Sequence, residues 1–290
     1  MQKKFSKIGI IGKQDTPAIK DTITKLANFL LAHKFTPYAN EHAYQYLDSK
    51  EVHASNEEEI GACCDLAIVV GGDGTILHAA RNLCDSQVPI IGVNEGRLGF
   101  LVDISPHEII KRMEEILLRD EYVSEERFLL HADVVRDGHK IAEGIAFNDM
   151  IVHKWNMARM IEFDTYVDDK LLSSQRSDGL IISTPTGSTA YALSGGGPLM
   201  HPTLNAVVLV PICPHTLTNR PIVVTADSTI KIIMNDCYKD HAQLACDGQI
   251  NVPLLEHDHI YIHRKEQPVT LIHPADHDHF EVLRAKLRWG

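Results

Sequence analysis

Along the first 120 or so residues, apolar side chains come in short unbroken runs separated by stretches where they recur every three or four positions. Ile8-Gly9-Ile10-Ile11-Gly12, Leu66-Ala67-Ile68-Val69-Val70 and Val88-Pro89-Ile90-Ile91-Gly92-Val93 are runs of the first kind. They read as strands covered on both faces, as in a parallel sheet. Ile19, Ile23, Leu26 and Leu30 form one buried helical stripe behind a start signal at Asp15-Thr16-Pro17. Ile76-Leu77-His78-Ala79-Ala80 opens a second helix, and Ser105-Pro106-His107-Glu108 reads as a capping box opening a third that runs to about Arg119. Alternating strand and helix predicts an α/β Rossmann-like domain over residues 1–125.

The pattern changes near Glu126. Ile161-Glu162-Phe163-Asp164-Thr165-Tyr166-Val167 alternates apolar and polar residues, as a half-exposed strand does. Asp137-Gly138 is a hairpin turn signal, and Leu180–Ile182, Val207–Val210 and Ile222–Val224 are further short strands. Residues 126–275 are therefore expected to form a β-rich, sandwich-like domain, with residues 276–290 a short amphipathic helix docked back on the body.

Composition narrows the function classes. The 290 residues are 44% hydrophobic and 23% charged, with a formal net charge of −11. That balance argues against a nucleic-acid or membrane partner and leaves room for a local basic pocket. No apolar stretch approaches the length of a membrane span. Cys63, Cys64, Cys84, Cys213, Cys237 and Cys246 show no paired spacing, which points to free thiols and a cytoplasmic location. His257-Asp258-His259 and His277-Asp278-His279 each offer two imidazoles, but without a third donor at a helpful spacing they read as solvated pairs, and no metal site is assigned.

The chemistry concentrates in two glycine-rich blocks. Gly71-Gly72-Asp73-Gly74-Thr75 sits between a strand and a helix, where open α/β sheets bind ligands. Its glycines let backbone N–H groups approach a phosphate, and the helix N-terminus adds partial positive charge. Asp73 in such a place suits proton abstraction from an attacking hydroxyl or a hold on Mg²⁺. The second block runs from Ser177-Asp178-Gly179 through Thr184-Pro185-Thr186-Gly187-Ser188-Thr189-Ala190-Tyr191 to Leu193-Ser194-Gly195-Gly196-Gly197-Pro198. Its hydroxyls suit hydrogen bonding to a ligand pressed against backbone, or capping of a loop. Tyr191 suits either stacking on a base or filling a core.

Together with Asn94–Leu101, Asn148-Asp149, Gln175–Gly179 and Leu271-Ile272-His273-Pro274, these blocks resemble the NAD kinases of the bacterial type over nearly the whole chain. The first block alone is shared with diacylglycerol-type lipid kinases, which leaves a lipid kinase or a non-catalytic dinucleotide sensor as alternatives. The resemblance implies phosphorylation of the 2′-hydroxyl of the adenosine ribose of NAD, with ATP and Mg²⁺, to form NADP. It implies Asp73 as the base. It places Gly71, Gly72, Gly74, Thr75, Phe100, Asn148, Asp149, Arg159, Arg176, Asp178, Thr189, Ala190, Tyr191, Ala192, Leu193, Ser194 and Gln249 at the substrates, and a homodimer or homotetramer built through the second domain. The chain departs from the family pattern at Asp149, where glutamate is more frequent, at Glu95, and at Gly195.

Overall fold

Leu66–Val70 is buried at all five positions, and apolar residues on both its faces require cover on both sides. It lies inside a sheet of seven strands ordered His53–Ala54, Thr36–Ala39, Lys7–Gly12, Leu66–Val70, Ile90–Val93, Val269–Pro274 and Tyr122–Arg127. The first six strands pair in parallel. From Lys7–Gly12 the chain moves outward through two strands, then returns to the other side at Leu66–Val70. That reversal is where parallel sheets open a crevice at their carboxyl ends.

The computed structural model describes residues 4–14, 16–96, 98–155, 159–236 and 242–289; Asp15, Arg97 and Cys237 lie outside the described residues. The chain divides into two units, Met1–Glu126 with Gln267–Gly290, and Arg127–Glu266. In the first unit Ile19, Ile23, Leu26 and Leu30 are all buried, as their spacing predicts, behind one 3-10 turn at Pro17–Ile19. The third helix differs from expectation. The Ser105 hydroxyl accepts the His107 N–H in a local turn, so the helix begins only at Ile109–Met113 and continues as a π turn at Glu114–Leu118.

Val269–Pro274, read from the sequence as part of the β-rich half, is instead a strand of the first unit's sheet beside Ile90–Val93. Its short apolar run satisfies either sheet, and only pairing decides. The helix His279–Leu287 follows, capped by Asp278, whose carboxylate accepts the Phe280 N–H at 2.8 Å. It buries Val282 and Leu283, and Lys286 Nζ donates to the Leu98 carbonyl at 2.9 Å.

The second unit consists of two antiparallel six-stranded sheets. One is ordered Lys170–Ser177, Ile161–Val167, Ile230–Asp236, His259–Arg264, Leu130–Arg136, His139–Ala146; the other Ile222–Thr225, Ala206–Ile212, Gly179–Ser183, Asp149–Lys154, Ala242–Cys246, Ile250–Leu254. Inward residues of both, among them Val134, Phe163 and Ile232 from one and Val152, Ile182 and Leu244 from the other, share one core. The hairpin at Asp137-Gly138 has positive φ at both central residues, 50° and 77°, as a twisted two-residue turn requires. Among the described residues no helix is long and apolar enough to cross a membrane, and Cys63, Cys64, Cys84, Cys213 and Cys246 form no disulfide with one another.

Phe163 is fully buried in the shared core of the second unit. Phe163→Ala is expected to cost about 3–5 kcal/mol of unfolding free energy in a urea titration, whereas Leu217→Ala at an 89% exposed position stays within about 0.5 kcal/mol.

Candidate active site

Gly72 is extended, with φ −97° and ψ −175°, and caps the helix Asp73–Leu83, so Asp73 is the first helical residue. Its carboxylate is clasped by backbone from further along the chain. Phe100 N–H donates to Oδ2 and Leu101 N–H to Oδ1, each at 3.0 Å. The approach needs Gly99, because a Cβ there would stand 2.1 Å from Asp73 Oδ1. Gly71 is constrained in the same way, 2.3 Å from the Thr75 hydroxyl, whereas nothing lies within 4 Å of a Cβ placed on Gly72. The open backbone at Gly72 and the helix N-terminus are the features that suit a phosphate. Glu95, the unexpected acid of this neighbourhood, is paired with Lys13 at 3.0 Å.

Lys286 ties down the Leu98–Leu101 segment from the last helix, through the Leu98 carbonyl and with its ammonium 5.2 Å from the centre of the Phe100 ring. Phe100 is among the residues expected at the site from the sequence, whereas the clasp of Asp73 was not expected. Only its glycine carried a signal.

In the second unit, Asp247 organises the start of the strand Asp149–Lys154. It stands in a tight turn at φ 51°, followed by Gly248 at φ 63°, and its carboxylate accepts N–H groups of Phe147, Asn148 and Asp149. Asp149 is 4% exposed, and burial, reinforced by the charge of Asp247, pushes its carboxyl up to about 7. Asn148 Oδ1 is buried with no hydrogen-bond partner among the described residues. An orphaned acceptor of this kind costs free energy unless something donates to it. The Asn148 carbonyl is enclosed by Thr184, whose N–H and hydroxyl both donate to it, and by Gly187, where a Cβ would come within 2.2 Å.

The hydroxyl-rich block divides in two. Its buried members serve the backbone: Thr184 Oγ1 donates to the Phe147 carbonyl at 2.7 Å and Ser188 Oγ to the Pro185 carbonyl at 2.7 Å, while Thr186 Oγ1 accepts from Arg127. Thr189 Oγ1 reaches the Thr186 carbonyl at 3.3 Å. Thr184, Thr186 and Ser188 build the loop rather than offer themselves to a ligand. Ala192 is likewise core, packed with Ile181 and Val210. Ser194 and Tyr191 are exposed, and Tyr191 does not fill the core; Ala190 and Leu193 are half-buried.

Asp178 pairs with Lys154 at 2.6 Å. Arg176, exposed on the edge strand Lys170–Ser177, faces Glu162 at 3.6 Å. Arg159 is exposed, and Gln249 is exposed just past the Asp247-Gly248 turn. Asp247 and Lys154 were not singled out from the sequence as site residues. For Asp247 the signal was available in the Asp-Gly pair between two strands.

Residues 8–122 match the family model for the ATP-NAD kinase N-terminal domain, and residues 147–274 match that for the ATP-NAD kinase C-terminal domain. An NAD kinase of Nitrosococcus oceani is 46% identical over 290 residues, covering 100% of this chain and 99% of the relative. One of Hahella chejuensis is 46% identical, covering 99% and 97%. Among solved structures, an NAD kinase from Archaeoglobus fulgidus in complex with ATP superposes with TM-score 0.73 at 27% identity, covering 97% of this chain and 98% of that one. Yeast NADH kinase complexed with NADH shares the fold, with TM-score 0.88 at 23% identity, covering 100% and 92%.

The Asp149 carboxyl has a consequence for stability. Between about pH 4, the ordinary aspartate value, and about pH 7 the folded chain holds a proton that the unfolded chain releases. Its contribution therefore weakens as pH rises through that window. Urea midpoints measured from pH 4 to 8 should show this falling component, and Asp149→Asn should flatten it.

Proposed function

The chain belongs to the NAD kinase family, kinases that phosphorylate NAD with ATP, and on that premise we propose that it transfers the γ-phosphoryl group to the 2′-hydroxyl of the adenosine ribose, forming NADP. The observation that carries this reading is the Asp73 carboxylate, held on both oxygens by backbone N–H groups at the head of a helix. Each oxygen keeps a lone pair after its backbone bond, so the group can take a proton while its orientation stays fixed. The 2′-oxygen forms a bond to the γ-phosphorus as its proton passes to Asp73. The bond from that phosphorus to the β–γ bridging oxygen breaks, and ADP leaves with the electron pair. Most of the acceleration comes from alignment and from neutralising phosphate charge.

The second unit holds the dinucleotide. The orphaned Asn148 Oδ1 accepts from a ligand N–H or O–H, and Asp149 accepts from a ribose hydroxyl when ionised. Tyr191 offers an exposed ring for stacking on a base. Asp178, Arg176, Arg159, Gln249 and the polar groups of Thr189–Ser194 complete the contacts, with Arg176 free to swing from Glu162 toward a phosphate. Magnesium takes phosphate oxygens, water and one or two carboxylates. Asp73, an oxygen donor with lone pairs to spare, fits such an ion, which supplies charge neutralisation when bound with ATP. The same reading makes the protein a cytoplasmic homo-oligomer.

Two substitutions test the assignment, both read by NADP formation from NAD, ATP and Mg²⁺. Asp73→Asn should lower kcat by about 10²-fold or more while NAD still binds in a calorimetric titration; near-normal turnover would remove Asp73 as the base. Gly99→Ala, whose Cβ would stand 2.1 Å from Asp73 Oδ1 and 2.3 Å from the buried Val102 side chain, should lower kcat by about 10²-fold in protein that circular dichroism shows to be folded.

A further inference from the structure

Asp103, two residues beyond Leu101, stands at the centre of a second constellation in the first unit. Its Oδ2 lies 3.0 Å from His273 Nδ1 and 2.7 Å from His277 Nδ1. The two imidazoles stack, with centroids 4.0 Å apart and 20° between their planes. One donor atom from each of the three side chains lies within 4.8 Å of the other two. His277 is only 12% exposed and His273 less, so the solvated pair expected at His277-Asp278-His279 does not form. His277 stacks on His273, four residues earlier, and reaches Asp103, which is distant in sequence, instead of pairing with His279.

Two carboxylates flank His273, Asp103 at Nδ1 and Glu125 on the Nε2 side, so the ring calls for positive charge, either a second proton or a metal ion. A neutral imidazole has one N–H. If His273 donates it from Nδ1 to Asp103, Nε2 presents a bare lone pair. That nitrogen is buried, makes no hydrogen bond among the described residues, and lies 3.7 Å from Glu125 Oε2. In the neutral ring that lone pair then faces a carboxylate which is 21% exposed. A metal ion on the Nδ1 side removes the conflict: Nδ1 gives its lone pair to the ion, and Nε2 carries the proton and turns it toward a carboxylate.

We propose that Asp103, His273 and His277 bind one divalent transition ion of the zinc class, through Oδ2 and the two Nδ1 atoms. Two imidazoles and one carboxylate suit zinc, cobalt or ferrous iron better than magnesium or calcium. The 2.7 and 3.0 Å separations are close to the edges of a tetrahedron with bonds of about 2.0 Å, roughly 3.3 Å, so the side chains need only open slightly around the ion. A cavity of about 230 Å³, lined by Asp103, His277, Asp276, Asp278 and Glu281 among others, adjoins the cluster and leaves room for water in a fourth position. Its wall is rich in carboxylates, and its arginine, Arg112, is already engaged by Glu115 and Asp276. The other such group among the described residues, His131, Asp133 and Glu143, already holds a cation, because Lys140 Nζ lies 2.6 Å from both carboxylates. The bound ion would staple the end of the strand Val269–Pro274 to the segment that clasps Asp73.

The test is a Co²⁺ titration of the full-length protein after exhaustive dialysis against a chelator, followed by displacement with Zn²⁺. The expected result is one equivalent with the visible absorption of tetrahedral cobalt, displaced by zinc. His277→Gln and Asp103→Asn should each weaken binding by about 100-fold or more, and Glu125→Gln by about 10- to 100-fold. His131→Ala, in the other group, should leave affinity and stoichiometry unchanged. Circular dichroism of each variant without metal separates lost binding from lost folding; if His277→Gln does not fold, Glu125→Gln carries the comparison. The proposal is overturned if the wild-type protein takes up no cobalt in the micromolar range, or if it does and neither His277→Gln nor Glu125→Gln weakens it.

Discussion

The clasp of one carboxylate by two amides is the constraint around which the first unit is arranged. Asp73 must sit where the strand Leu66–Val70 gives way to a helix, and Phe100 and Leu101 must present their N–H groups to it at 3.0 Å. This fixes several things at once. Gly99 has to lack a side chain. The strand Ile90–Val93 must lie beside Leu66–Val70 so that the segment leaving it passes over the loop. The last helix must hold Leu98 through Lys286. A carboxylate with both oxygens engaged loses rotational freedom before substrate arrives, so less entropy remains to be lost at the reacting geometry.

In the second unit the design is electrostatic in a different sense. Asp247 collects up to three backbone donors and so tolerates its place, whereas Asp149 next to it is buried with its charge opposed. Of the two acids in this corner, Asp149 is pushed toward its protonated form by burial and by the charge of Asp247. The neighbouring Asn148 Oδ1 adds an acceptor with no donor. Such a corner is poorly adapted for stability alone and well adapted for a ligand that brings hydroxyl or amide hydrogens.

Much of this was legible before any coordinates, for identifiable reasons. Leu66–Val70 followed by Gly71–Thr75 announced itself through local composition, as did the stripe Ile19, Ile23, Leu26 and Leu30. The placement of Val269–Pro274 did not, because a short apolar run suits a parallel or an antiparallel neighbour equally and only long-range pairing chooses. The hydroxyl block misled in part for a similar reason. Thr184 and Ser188 look the same in sequence whether they donate to a ligand or to the Phe147 and Pro185 carbonyls. His277 seemed solvated because Asp103 reaches it only through the fold, and because nothing in the spacing marked the turn that stacks it on His273, four residues earlier.

The strand Val269–Pro274 lies between Ile90–Val93 and Tyr122–Arg127, yet some 140 residues of the other unit separate it from both in the chain. A ribosome adding roughly 5–20 residues per second therefore leaves that slot vacant for about ten seconds or more, with an unpaired strand edge on either side. The nascent N-terminal unit cannot finish its sheet as it emerges. Its maturation waits on the completion of a separate body of structure, and over that interval its open edges are the part of the newborn chain most in need of a chaperone's protection.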